Sequence, residues 1–303
     1  MIDTVRIKTN RLFHPDITDC LSENWQATDF QSRGVNGDGS GWTGKNRITL
    51  EDKTTGLRIG GTRFAAEWIE TSLPTLLHGH NGMLIVNQQE LDDALDMLYE
   101  TVDQVCEPAE DAAEDTFTRV DPVWQFRGNP EAFKAAHRNC RHRRIRKEAM
   151  EYDGQGMVWK GTQLSVTLYD KRLKMFKKPG DVVRVEVRLW GKVLRKEFTG
   201  SEHGDLRNLS FWRCYEVYRE IMCGFCPAPI PRVSKLAEFL TLGEVEGWKT
   251  KAGVSQFDIW KIGVSPRQVS RMRRDMASLR PIVHHIDWET LLPVHELPPL
   301  VEL

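Results

Sequence analysis

The sequence predicts a mixed α/β protein in which a mainly antiparallel sheet carries helices on one face and a helical C-terminal domain follows. The first seventy residues hold four segments where apolar and polar residues alternate, as in half-buried strands. Residues 88 to 106 instead place leucine and valine at helical spacing. The length of 303 residues exceeds the usual size of one domain. We therefore expect two domains, residues 1–200 and 201–303.

The four N-terminal strand patterns read DTVRIKT, NRITLED, TGLRIGG and TRFAAEWIE. A glycine-rich connection is expected at residues 34–46. Within it, Gly39 to Lys45 fits the phosphate-binding pattern GxxxxGK, but Asn46 replaces the required Ser or Thr and no buried strand precedes it. A flexible loop is the better interpretation.

Further elements are expected along the chain. The segment TFTRVDPVWQF reads as a strand, and Pro122 within it indicates a sheet edge or a bulge. Pro130 opens a basic helix. Two strands near 156–170 and 181–190 precede helices around 205–223 and 232–243.

Charge is segregated, although the net charge is only −1. Residues 90–115 hold eleven acidic and no basic residues, whereas residues 134–147 hold seven Lys or Arg and no acid. Such a basic segment can bind phosphates, and it can equally be a solvated helix face. Its candidate DNA contacts are Arg138, Arg141, Arg143 and Arg144.

Composition excludes several classes of protein. No apolar run approaches the roughly 20 residues that cross a bilayer, and the N-terminus lacks a secretory pattern. We expect a cytoplasmic protein with no membrane partner. The six cysteines are scattered, and Cys223 to Cys226 forms one CxxC without a second. Reduced thiols are expected.

Polar side chains share one face on three predicted strands. In QLSVTLYDK, Tyr169 and Lys171 lie opposite the apolar residues. In the other two strands the polar face holds Arg119 with Asp121, and Arg184 with Glu186 and Arg188. Carboxylates suit Mg²⁺ or Mn²⁺, and a tyrosine hydroxyl activated by a cation can attack a phosphodiester. Composition alone favours a solvent-facing sheet with ordinary charge pairs.

Four segments in order resemble the gene II/X family of replication initiators of filamentous phages and related plasmids. They are MIDTVRI, SLPTLLHGHN (72–81), TRVD (118–121) followed by GNPEAF, and TLYDK (167–171) leading to VVRVEVRL (182–189). The resemblance covers roughly residues 1–200. It implies a sheet of Rep-endonuclease type and initiation of rolling-circle replication.

The resemblance also implies roles for single residues. Tyr169 would attack a phosphodiester at the origin, keep the 5′ phosphate and free a 3′ hydroxyl, and later rejoin the displaced strand. Lys171 would support the phosphate. Asp121 and Glu186 would hold the divalent cation. His80 is either a further ligand or a turn histidine that caps backbone groups, and His78 is a weaker choice than His80. Where related initiators often carry Glu, this chain has Lys174.

Tyr215 and Tyr218 form a rival pair on one predicted helix face, but the neighbouring Phe211, Trp212 and Met222 favour core packing for them.

Residues 255–276 predict a helix-turn-helix, with a turn at Gly263 and an N-cap at Ser265. Candidate contacts to double-stranded DNA on its second helix are Arg267, Gln268, Arg271 and Arg274. The expected partner is origin DNA, double-stranded and single-stranded, and a host helicase and polymerase are candidates. Two alternatives remain open: a non-catalytic DNA-binding regulator and a mobilisation relaxase.

Overall fold

The computed structural model describes residues 1–14, 24–35, 41–62, 64–107, 115–137, 140–145, 150–152, 156–199, 208–227 and 286–301. Two compact units are present. The first comprises Met1–Trp124 and Glu186–Tyr218, and the second comprises Gln125–Val185 and Arg219–Val301. Within the described residues, no helix is both long enough and apolar enough to cross a membrane.

The described strands follow the chain as β1 (Ile2–Lys8), β2 (Trp25–Val35), β3 (Gly41–Asp52), β4 (Arg58–Thr62), β5 (Ala66–Ser72), β6 (Thr116–Arg127), β7 (Cys140–His142), β8 (Met150–Tyr152), β9 (Gly156–Lys160), β10 (Leu164–Asp170), β11 (Val182–Trp190) and β12 (Phe225–Pro227). The described helices are α1 (Leu73–His78), α2 (Gln88–Val102), α3 (Pro130–His137), α4 (Lys171–Phe176), α5 (Gly191–Phe198), α6 (Phe211–Met222) and α7 (Trp288–Leu291).

The first unit contains an antiparallel sheet in the order β2-β3-β4-β5-β1-β6. Strand β1 lies between β5 and β6, where Arg6 is opposite Glu70 on one side and Arg119 on the other. Its Val5 and Ile7 are buried, whereas Arg6 and Lys8 on the opposite face reach solvent. The alternation in the sequence therefore separates a core face from a charged face.

Two irregularities bend the pairing of β1 with β6. Ile2 pairs with Pro122 but Val5 pairs with Val120, so β1 carries one extra residue there. Proline has no N–H to donate to a ladder, and its predicted association with a bulge is confirmed. A second shift leaves Thr118 as the extra residue of β6, and its hydroxyl donates to the carbonyl oxygen of Arg6 over 3.1 Å.

Helix α2 confirms the helical spacing seen in the sequence. Its N-cap Asn87 accepts a hydrogen bond from the backbone N–H of Glu90. The leucine, alanine and valine side chains of one face are fully buried, at Leu91, Ala94, Leu98 and Val102. Gln88 connects α2 to the start of α6 because its amide binds the Leu209 carbonyl and the Phe211 N–H.

In the second unit, β8, β9 and β10 form consecutive antiparallel pairs. An aromatic cluster surrounds His137, the last residue of α3. Its Nδ1 faces the Phe133 carbonyl at 2.9 Å, and its Nε2 accepts from the Trp288 indole at 3.0 Å. Both ring nitrogens are satisfied when the imidazole is neutral with the proton on Nδ1. His137 is thus a core residue of this unit.

The predicted class, a mixed α/β protein built on an antiparallel sheet, is confirmed. Strand β2 was not predicted, and residues 41–46, expected in a loop, belong to β3. The helix at 232–243, the helix-turn-helix at 255–276 and the domain boundary near residue 200 lie outside the described residues.

Candidate functional site

Asp121 on β6 lies between two arginines in the first unit. The Nε of Arg119 donates to its Oδ1 over 2.9 Å, and the Nη2 of Arg119 and the Nε of Arg188 both donate to Oδ2, the latter over 3.1 Å. Arg188 is on β11, 67 residues away. The prediction that Asp121 shares a charged face with Arg119 and Arg188 is confirmed.

Glu70 on β5 is a second, partly buried acid of this face and it touches three arginines. Its carboxylate oxygens lie 2.6 Å from Arg58, 3.4 Å from Arg119 and 3.7 Å from Arg6. These contacts follow from register, since Arg58, Glu70, Arg6 and Arg119 stand directly opposite one another across four neighbouring strands. We call Arg58, Arg6, Arg119 and Arg188 the arginine row.

The two acids are more buried than three of the four arginines, and the fourth, Arg119, is 19% exposed. The side chains of Asp121 and Glu70 are 2% and 13% exposed. Those of Arg58, Arg6 and Arg188 are 48%, 41% and 46% exposed. A molecule approaching this face therefore meets N–H donors and positive charge first.

Burial raises the pKa of Asp121 to about 6, while hydrogen bonding and charge from Arg119 and the charge of Arg188 oppose that rise. The negative charge of Glu186 raises it further. The pKa of Arg119 is also raised: burial lowers it, but the hydrogen bond to Asp121 and the charges of its carboxylate neighbours outweigh burial. Arg119 stays charged, and Asp121 changes charge near pH 6.

The donor chemistry of Asp121 and Glu186 suits Mg²⁺ or Mn²⁺, since both are hard carboxylate ligands close enough to interact electrostatically. Among the described residues, no group of three or more His, Cys, Asp or Glu side chains is arranged to hold a metal. Mg²⁺ usually keeps several waters and uses one or two carboxylates plus substrate phosphates. In this structure both oxygens of Asp121 accept hydrogen bonds from Arg119 or Arg188, so a cation at this carboxylate would have to displace an arginine.

His80 does not join Asp121 and Glu186 in such a group. Its Nδ1 accepts a hydrogen bond from the backbone N–H of Gly82 over 3.1 Å, which closes the turn after α1. His78 ends α1, and Gly79 follows as a left-handed C-cap. The three-ligand set that includes His80 is therefore not assembled in this structure, because the imidazole is used to shape a turn.

Tyr169, near the end of β10 in the second unit, is 1% exposed. The ammonium group of Lys174 lies 4.3 Å from the centre of its ring. Gly156 on β9 stands opposite Tyr169, and a Cβ at that glycine would come within 2.1 Å of the Leu168 carbonyl oxygen. The missing side chain thus allows β9 to approach the strand that carries Tyr169.

Lys171 begins helix α4 rather than continuing β10, and it is 1% exposed. The predicted alternation that placed it on the face of Tyr169 ends one residue earlier. Asp170 is the reason, because its carboxylate caps α4 at the Leu173 N–H over 2.9 Å and also accepts from Gly180 over 3.1 Å. Lys174 contacts the tyrosine ring instead. In the sequence, Lys174 was noted only because related initiators often carry Glu at that position.

The predicted DNA-binding arginines have different surroundings. Arg143 and Arg144 are exposed in the turn after β7, whereas Arg184 is fully buried in β11. The prediction that Arg184 contacts DNA is therefore wrong for this structure, because a DNA contact requires an exposed side chain. The side chains of Arg138 and Arg141, and the helix-turn-helix positions Arg267, Gln268, Arg271 and Arg274, lie outside the described residues.

Two further sequence interpretations can be compared with the structure. Tyr215 and Tyr218 are completely buried in α6, which confirms core packing for this pair. Arg6, Arg58 and Glu70 were not singled out from the sequence, although they lie at polar positions of the alternating segments DTVRIKT, TGLRIGG and TRFAAEWIE. Their contact depends on cross-strand register, which the sequence pattern of a single strand does not contain.

Comparison with known proteins finds a similarity among solved structures. No protein-family model matches the chain, and no curated protein matches its sequence. Among solved structures, the chain is similar to a rolling circle replication initiator protein from Geobacillus stearothermophilus, with 12% sequence identity and a TM-score of 0.33. The match covers 64% of this chain and 74% of that chain.

Proposed function

We propose that this protein is a rolling-circle replication initiator, a metal-dependent nickase that cuts one DNA strand through a tyrosine and later rejoins it. The observation that carries the proposal is the arginine row above the buried Asp121 and the partly buried Glu70. The motif resemblance of residues 1–200 supports the same proposal.

The arginine row is suited to a phosphate backbone. Guanidinium groups bind phosphate oxygens in a fork, and the buried acids hold each fork in place before DNA arrives. When a DNA strand lies across the row, the arginines would replace their contacts with solvent, and some of their contacts with the carboxylates, by contacts with phosphate. Asp121 and Glu186 would hold the divalent cation, which supplies Lewis-acid polarisation of a phosphoryl oxygen.

The proposed nucleophile is Tyr169. Its Oη would form a bond to phosphorus while the bond from phosphorus to the 3′ oxygen breaks, and the departing 3′ oxygen takes a proton. The phosphotyrosine keeps the energy of the broken bond, so attack by a 3′ hydroxyl reverses the step without a nucleotide cofactor. Lys174, whose ammonium group lies over the ring, would place a positive charge beside the phosphate that Tyr169 receives.

Access to Tyr169 is the main requirement of this proposal, because its side chain is buried. The hydroxyl must become reachable when DNA binds. The same burial favours a second function, that of a non-catalytic DNA-binding regulator in which Tyr169 and Lys171 are core residues. The regulator would bind DNA through the arginine row without any strand scission.

A covalent-capture experiment separates the two functions. The full chain is incubated with a random-sequence single-stranded DNA library and Mn²⁺, denatured, and the DNA that stays attached is sequenced. We expect an adduct that maps to the peptide containing Tyr169 and disappears with chelator or in Tyr169→Phe. Tyr218→Phe, which removes a hydroxyl from the core of α6, is the matched control and should retain the adduct.

Absence of any adduct from a folded wild-type protein that binds the library would support the regulator and overturn the nickase. An adduct that persists in Tyr169→Phe would overturn the assignment of the nucleophile.

A further inference from the structure

A groove beside the arginine row combines an aromatic ring with two cations in the first unit. It has a volume of about 600 Å³ and is lined by Arg6, Lys8, Thr9, Asn10, Glu67, Trp68 and Thr118. Ligand pockets commonly measure about 300 to 1,000 Å³. Trp68, Lys8 and Arg6 share one face of the sheet, since Lys8 stands opposite Trp68 and Arg6 follows on the same side.

The indole of Trp68 is held in one orientation. Its ring lies over Gly60 on β4, where a Cβ would come within 2.2 Å of the ring carbon Cζ2. The guanidinium carbon of Arg6 lies 4.4 Å from the ring centre. A glycine beneath the ring and a cation against it fix an aromatic surface that is only half-buried. An aromatic side chain fixed in this way loses little further conformational freedom when a ligand stacks on it.

The remaining groups of the groove suit a base and its phosphate. Arg6 and Lys8 supply positive charge, while the acid Glu67 is paired with Arg47 at 3.0 Å. Thr9 is buried, and its hydroxyl makes no hydrogen bond within the described part of the chain. An unsatisfied buried hydroxyl costs free energy that a polar ligand edge or water can recover.

We propose that this groove binds an unpaired nucleotide of single-stranded DNA, in which the base takes the place of the Arg6 guanidinium on the Trp68 ring and the adjoining phosphates bind Arg6 and Lys8. Sequence-tolerant single-strand sites combine these two elements, an aromatic platform and a basic track. Arg6 belongs both to the groove and to the arginine row, so the strand would continue from the groove onto the row. The choice of DNA over other nucleic acids rests on the proposed function.

The test measures binding without chemistry. Fluorescence anisotropy is recorded with a labelled oligodeoxythymidylate, in chelator and in a Tyr169→Phe background, together with an oligonucleotide of equal length made of abasic sites. Trp68→Ala should weaken oligodeoxythymidylate binding roughly 5- to 150-fold, the range expected for loss of one stacked base. Trp68→Phe should retain part of the affinity, and abasic DNA should bind wild type and Trp68→Ala equally.

Trp212→Ala is the matched control, because Trp212 is also partly exposed and lies in α6 of the same unit. It should leave binding unchanged. A Trp68→Ala protein that binds oligodeoxythymidylate as tightly as wild type would overturn the proposal, and so would an equal loss on abasic DNA.

Photocrosslinking of wild type keeps the proposal testable if Trp68→Ala does not fold. An oligonucleotide carrying 5-iododeoxyuridine should crosslink to the peptide that contains Trp68, and a peptide map with crosslinks only elsewhere would overturn the groove. The failures are distinguishable. Trp68-dependent binding without any tyrosine adduct overturns only the nickase, whereas an adduct with Trp68-independent binding overturns only the groove.

Discussion

Arg188 donates from its Nε to the Oδ2 of Asp121 over 3.1 Å, and Arg119 binds the same oxygen. Arg188 is half-exposed while Asp121 is almost completely buried. The guanidinium therefore has N–H groups that can reach a phosphate while one contact anchors it to the carboxylate. Phosphate and carboxylate compete for the arginines of this face, and the charge of Asp121 decides how strongly the acid competes.

Replacement of Arg188 by alanine should reduce the number of phosphates that the protein neutralises. Each phosphate contact contributes about 0.7 to the slope of log affinity against log salt for a single strand. We expect Arg188→Ala to lower that slope by about this amount and to weaken binding at low salt. Lys196→Ala, which removes an exposed cation from α5, is the control and should leave the slope closer to wild type. Equal slopes for wild type and Arg188→Ala would place the phosphate contacts elsewhere.

DNA affinity should rise as pH falls through the pKa of Asp121, which burial raises to about 6. Protonated Asp121 has no charge with which to hold Arg119 and Arg188, so their guanidinium groups become more available to phosphate. We expect tighter binding at about pH 5.5 than at about pH 7.5 in chelator at constant ionic strength. Asp121→Asn should bind tightly at both values, and an unchanged pH dependence in this variant would exclude Asp121 as the titrating group.

The contribution of Asp121 to the free energy of unfolding should fall as pH rises. The folded chain binds the proton of Asp121 more tightly than the unfolded chain, whose carboxyl has a pKa near 3.8. The contribution of this group to the free energy of unfolding is therefore greatest below that value and falls as pH rises to about 6. Chemical denaturation of wild type and Asp121→Asn across this window measures the difference.

Part of the fold could be predicted because several strands bury one face. The alternation of β1 and of the second half of β11 reports that burial directly. Strand β2 escaped prediction since its sequence, WQATDFQSRGV, lacks period-two alternation and includes residues that disfavour strands. It has one neighbour, β3, with which it forms ten register pairs. Strand β2 is therefore defined by its hydrogen bonding to β3, which its own sequence pattern does not predict.

The candidate site was predictable to the extent that it lies on single strands. Arg119, Asp121 and Arg188 were placed on polar faces by alternation, and the structure brings their side chains together. The burial of Tyr169 could not be predicted, because β10 is buried on both faces and alternation then carries no information about exposure. The contact of Lys174 with the tyrosine ring depends on where α4 begins, which Asp170 decides by capping.

His142 should make the second unit less stable in acid. The imidazole is buried, its Nε2 donates to the Ile221 carbonyl over 2.8 Å, and its Nδ1 accepts from the Arg144 N–H. Burial lowers its pKa below 6.5, and the charges of Arg144 and Arg143 lower it further, against the effect of the hydrogen bond to Ile221. The neutral form stabilises the fold, and that stability is present above pH 6.5 and lost as pH falls through the lowered pKa.

Replacement of His142 by glutamine should remove that acid-dependent component while lowering stability at neutral pH through imperfect hydrogen bonding. The measurement is the free energy of unfolding from pH 7.5 to 5, followed by tryptophan fluorescence. Trp159, whose ring packs against the same Phe225 as His142, makes the signal sensitive to this cluster. A wild-type protein whose stability does not fall over this range faster than that of His142→Gln would contradict the prediction.

Gly156→Ala should impair the chemistry proposed for Tyr169 without touching its hydroxyl. The new Cβ would meet the Leu168 carbonyl oxygen at 2.1 Å and the Tyr169 Cβ at 2.8 Å, so β9 and β10 must separate. Forced overpacking of this kind costs about 1 to 3 kcal/mol.

Gly61→Ala is a matched control. Gly61 lies on β4 of the first unit, and its new Cβ would meet the Ala65 carbonyl oxygen at 2.0 Å. Both variants should lose similar stability in chemical denaturation. Only Gly156→Ala should also slow formation of the tyrosine adduct, by roughly 10- to 100-fold, since a displacement of about 1 Å has an effect of that order. Equal adduct rates in the two variants, after correction for the folded fraction, would show that the position of β10 does not limit the reaction and would count against Tyr169 as the nucleophile.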